Sequence, residues 1–138
     1  MKNRDVAFFA LLLCLPPSAR ADSHDCFKEN AAGFRRIGEC LRAEEVREEK
    51  EMQKALSDQR QMADAYEPVS AGQGARLTKS QEAFLQYRQA ECDYQSRALD
   101  TRKLKDKTVK RQAEEIRLTC LIGLTRQRTE WLQTQNGK

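Results

Sequence analysis

From Arg76 to Ile122 the chain runs for 47 residues without a proline or a glycine, and Cys92 and Cys120 both lie inside that run. Its composition is that of helix: Ala, Leu, Glu, Gln, Lys and Arg dominate, β-branched residues are scattered, and two-residue alternation is absent. A single rod of that length would leave its apolar stripe unburied. If Cys92 pairs with Cys120, the chain must reverse near Asp106, where Asp100, Thr101 or Asp106 can cap helix ends. An antiparallel hairpin with that crosslink sets Arg88 by Leu124, Phe84 by Arg128 and Gln81 by Trp131.

The N-terminus decides how many cysteines count. Lys2 and Arg4 precede an apolar stretch from Val6 to Leu15, Pro16 and Pro17 end it, and Ala19-Arg20-Ala21 follows. This resembles a secretory signal peptide over residues 1–21, cut before Asp22. Leu11, Leu12 and Leu13 precede Cys14 without the small residue that lipoprotein processing requires, which disfavours a lipid anchor. Cleavage leaves Cys26, Cys40, Cys92 and Cys120, an even count that reads as two disulfides in a periplasmic or secreted protein. The wide gaps, the absence of any Cys-x-x-Cys pair and the single histidine, His24, argue against zinc.

In the first half, Phe27, Phe34, Ile37, Leu41, Met52, Leu56, Met62 and Tyr66 form an apolar series at helical spacing. Between Leu41 and Met52 stand Glu44, Glu45, Glu48, Glu49 and Glu51 among Arg42, Arg47 and Lys50, which reads as a solvated face. On one straight helix Cys26 and Cys40 would stand about 21 Å apart, so a pairing between them needs a turn, with Gly33 midway and Gly38 as a second soft point. The segment 67–76, with Pro68, Gly72 and Gly74, separates the two halves. The expected fold is all-α, a single domain over 22–138: a small disulfide-stapled helical bundle with a short N-terminal helix, a long helix and then an antiparallel helical hairpin.

On that hairpin Gln81, Phe84, Leu85, Arg88 and Cys92 share one helix face, opposite a stripe of Val109, Ala113, Ile116, Cys120, Leu124 and Trp131 with Arg128 beside it. Polar groups on a face meant for burial need partners. Arg88 and Arg128 therefore have two readings: they set helix register and cap carbonyls, or they line an edge groove that offers guanidinium groups to an acidic partner.

The order of these residues is similar to a known pattern. Leu77, Gln81, Phe84, Tyr87, Arg88 and Cys92 follow L-x-x-x-Q-x-x-W-x-x-Y/F-R-x-x-x-C, and Cys120, Thr125, Arg128 and Leu132 follow C-x-x-x-x-T-x-x-R-x-x-x-L. Both resemble signatures of the LprI-type lysozyme-inhibitor domain, a family of small exported helical proteins. Glu49 to Leu56, downstream of Cys40, resembles a third family segment. The chain departs from the pattern at Phe84, where the family usually has tryptophan, at Met52-Gln53 and Leu56, and between the last two cysteines. The resemblance implies binding to a lysozyme-type muramidase and marks Gln81, Phe84, Arg88, Thr125 and Arg128 as possible binding residues.

Function classes narrow accordingly. No nucleophile elbow, phosphate loop or metal-ligand cluster is present, so catalytic residues and cofactors are not expected. Cleavage lowers the formal charge from +4 to +2, too mild for a nucleic-acid partner, and no apolar run is long enough to span a membrane. A non-catalytic binding protein fits best, with the acidic side chains of the first long helix as the complement of a basic lysozyme. The alternative is an envelope protein whose basic run, Arg97 to Arg111, touches anionic surface polymers or another envelope protein.

Overall fold

The computed structural model describes residues 26–27, 34–66, 71–97 and 106–135. Three long helices account for nearly all of them: α1 Phe34–Ala65, α2 Gln73–Arg97 and α3 Lys107–Gln135. The all-helical expectation holds. The segment 1–21, His24, Gly33 and most of the basic run, including Lys103 and Lys105, lie outside the described residues. So does most of the expected short N-terminal helix, of which Cys26 and Phe27 are helical.

Local chemistry accounts for the helix boundaries. α1 stops at Ala65, just ahead of Pro68, which restricts the residue before it and lacks an N–H. Gly72 adopts φ 80°, a left-handed conformation open to glycine, and its carbonyl accepts the Arg76 N–H at 3.0 Å. α2 thus takes up the last four residues, 73–76, of the segment expected to be loop. Asp106 caps α3: Oδ1 accepts the Thr108 N–H at 2.8 Å and the carbonyl accepts the Lys110 N–H at 3.1 Å. Gly38 lies inside α1 rather than at a turn.

Both disulfides are formed. Cys92–Cys120 joins α2 to α3 with Cα atoms 5.5 Å apart, which makes the two helices the expected antiparallel hairpin. Cys26–Cys40, with Cα atoms 5.7 Å apart, brings the start of the described chain back onto α1. Up-down-up packing places both crosslinks toward one end of the bundle and the α1–α2 connection at the other.

α3 packs against both other helices, which touch each other least. Its buried face is Leu118, Leu121, Ile122, Thr125, Thr129 and Leu132, not the expected stripe: Ile116 and Trp131 are exposed. The expected stripe faces α2 through Cys120. The side of α3 turned to α1 is the one most deeply covered. Two small apolar cores result. Leu41, Leu118 and Ile122 surround Cys26 at the disulfide end, and Met52, Ala55, Leu56 and Leu132 pack with Leu77, Phe84 and Leu85 toward the other.

Candidate functional site

Between the two cores the interior is charged. Along α1 from Leu41 to Met52 the inward positions are Glu44 and Glu48, 8% and 4% exposed. Arg126 of α3 donates to Glu44 and, through Nη2 at 2.8 Å and Nε at 2.9 Å, lies against Glu48 Oε1. Arg47, more than half exposed, closes the cluster from outside, 3.3 Å from Glu44 and 3.6 Å from Glu48. Burial disfavours the charged guanidinium of Arg126, yet hydrogen bonds and charge from Glu48 and then Glu44 outweigh it and raise its pKa above the usual arginine value. The expectation of a solvated acidic face is thus wrong for Glu44 and Glu48. Their neutralising partner comes from 82 and 78 residues further along, beyond the reach of an argument from sequence neighbours.

α2 adds a second layer to this belt. Arg88 Nη1 donates to Glu49 Oε2 at 2.6 Å and to Thr125 Oγ1 at 2.7 Å, linking all three helices at one atom. Gln81, buried, accepts from Arg128 Nε at 3.0 Å, while its own amide nitrogen lies 3.5 Å from Met52 Sδ. Arg128 Nη2 donates to Ser80 Oγ at 3.0 Å. The Arg128 guanidinium stands 5.4 Å from the Phe84 ring centre and 4.4 Å from that of Trp131, within cation–π range of both.

The five residues singled out by sequence, Gln81, Phe84, Arg88, Thr125 and Arg128, therefore converge on one α2–α3 seam. Phe84 meets Arg128 as the register required, and Arg88 meets Thr125, one position from the expected Leu124. Gln81 contacts Arg128 rather than Trp131. Gln81, Arg88 and Thr125 point inward and are occupied by internal bonds. Arg128 is set among partners of another kind: two neutral oxygens and two aromatic faces.

Arg128 and Trp131 lead to the surface. At the end of the bundle remote from the disulfides, a cavity of ≈ 350 Å³ opens between the last turns of α1 and α3 and the first turns of α2. Met62, Tyr66 and Trp131 line it at 38%, 61% and 45% exposure, beside Arg76, Leu77 and Ser80. Met62 and Tyr66 were expected to join the buried series. Met62 sits in the last turn of α1 and Tyr66 just beyond it, where the inward direction faces this cavity instead of another packed layer.

The model of one protein family, described as lysozyme inhibitor LprI, matches residues 26–132. The chain belongs to the LprI family. No curated protein matches it, and no solved structure does. The region matched to LprI starts at the first disulfide cysteine and ends at Leu132, the buried leucine of the second core, so it contains both crosslinks, the charged belt and the seam. Sequence reasoning found the LprI signature positions but missed Glu44, Glu48 and Arg126. The available signal was phase: Glu44 and Glu48 stand three and seven residues after Leu41, on the stripe that Met52 continues.

Proposed function

We propose that this chain is an exported, non-catalytic binding protein that inhibits a muramidase-type lysozyme by docking on it. Membership of the lysozyme inhibitor LprI family over residues 26–132 carries the reading. The fold supports it. Two disulfides and a belt of internally paired charges make a stiff body, which loses little conformational freedom on meeting a partner. Disulfides also fit an oxidising compartment, and no described helix is long and apolar enough to cross a membrane. Removal of residues 1–21 and residence in the periplasm or outside the cell complete the proposal.

The acidic side chains of α1, the complement expected for a basic enzyme, are in part already spent: Glu44 and Glu48 hold Arg126, and Glu49 holds Arg88. Those three carboxylates are therefore committed within the bundle. Turbidity clearance of bacterial cell walls by several lysozyme classes, with and without the purified oxidised protein, tests the proposal. Slowed clearance by at least one class is expected, and unchanged clearance by every class at tens of micromolar inhibitor removes the reading.

A further inference from the structure

Among the described residues, the guanidiniums that cross between helices in the belt and seam each have an acid, with one exception. Arg88, Arg117 and Arg126 have carboxylate oxygens 2.6 to 2.8 Å away on Glu49, Asp93 and Glu48. Arg128 has none. Its Nε and Nη2 donate to the neutral Gln81 and Ser80, and Phe84 and Trp131 flank it. Burial pushes its pKa down, with no acid to offset the effect. A cation held only by neutral dipoles and ring faces keeps an attractive field for an incoming anion.

The surroundings say what kind of anion fits. Ser80 and Trp131 line the cavity at the α1–α2 loop end, so Arg128 stands just behind its wall, and Arg76 stands in the wall itself. Among the described residues that line it, none is acidic. Around the two cations, Trp131, Tyr66 and Met62 present large, partly exposed apolar surface. Trp, Tyr and Arg are the residue types that concentrate binding energy at the centre of protein interfaces, and a thioether adapts to irregular partners. The surface is concave, so its occupant projects.

We propose that this cavity is the docking surface for the muramidase, and that Arg128, with Arg76 at the rim, takes a carboxylate on a projecting acidic segment of that enzyme. The assignment rests on the inhibitor reading for the identity of the partner. It does not require the catalytic carboxylates, which glycosidases keep beside the scissile bond in a cleft of their own. Seating on a neighbouring segment blocks access of cell-wall polymer to that cleft by bulk.

The test uses the oxidised protein and a lysozyme that it slows, with binding measured by titration calorimetry. Ser80→Glu places a carboxylate where a hydroxyl already touches Arg128, so the site becomes occupied from within. Its melting temperature should match or exceed that of the parent while Kd weakens at least tenfold and the salt dependence of binding flattens. Arg128→Met should weaken binding to a similar extent, Arg76→Gln by less, and Lys110→Gln at the opposite end should leave it unchanged. Parent-like Kd for both Ser80→Glu and Arg128→Met, with parent-like melting, overturns the assignment and leaves the inhibitor reading standing. A four-glutamate peptide separates the two ideas from the other side. It should shift the Arg128 Nε–H resonance of the parent protein where a four-lysine peptide does not. Without that shift the carboxylate site falls, whatever the lysozymes do. With it, but with no lysozyme bound, the site stands and the muramidase is the wrong partner.

Discussion

Arg126 is the residue whose removal the interior tolerates least. Arg126→Leu leaves Glu44 and Glu48, 8% and 4% exposed, with compensation, among the described residues, only from the outer Arg47. Stripping one partner from a buried ion cluster costs about 3 kcal/mol or more, whereas loss of an exposed one costs about 1 kcal/mol or less. Urea unfolding should therefore show a far lower midpoint for Arg126→Leu than for Arg47→Ala, and equal midpoints would contradict the burial of the cluster. Replacing Glu44, Glu48 and Arg126 together by apolar residues of similar volume should recover most of the loss. Asp93 offers a gentler probe. Hydrogen bonds from Arg117 and then Gln89 hold its carboxyl below the ordinary value of 3.8. Since the folded pKa lies below the unfolded one, this contribution is present above the ordinary carboxylate range and is lost as pH falls through the folded value. The stability gap between the parent and Asp93→Asn should be seen at neutral pH and close in strong acid; a gap unaltered by acid would mean that the ion pair contributes nothing.

At the scale of helices, the crosslinks close loops of different length, 14 residues for Cys26–Cys40 and 28 for Cys92–Cys120. Loop-closure entropy assigns them about 3.0 and about 3.6 kcal/mol respectively. Paired cysteine-to-serine variants should follow that order in thermal unfolding, and either should exceed Lys54→Ala, which loses one exposed pair with Asp58. These elements were the most legible part of the sequence. A long stretch free of Pro and Gly, a Pro68–Gly74 break and an Asp106 cap are local signals, and the hairpin register follows once Cys92 and Cys120 are joined. The buried face of α3 was not legible, because two neighbours compete for it and nothing local says on which side α1 lies. The seam shows the same division: Gln81, Phe84, Arg88, Thr125 and Arg128 were recognisable as a set, but which of them point inward depends on the third helix.

The whole molecule is layered along its length: a disulfide-pinned core, a charged belt, a second core and an open cavity. Each layer is thin, and none of the three helices is stably buried by one neighbour alone. The belt also bars alternative seatings. Sliding α3 by one turn, about 5.4 Å, would carry Arg126 away from its acids and into one of the apolar layers, so the bundle has a single register. Evolutionary drift is constrained unequally as a result. Leucines and alanines of either core are free to vary one at a time among shapes of similar size, whereas Glu44, Glu48 and Arg126 form a lock whose tumblers turn only in concert, and descendants of this chain should be found to exchange that trio as a block.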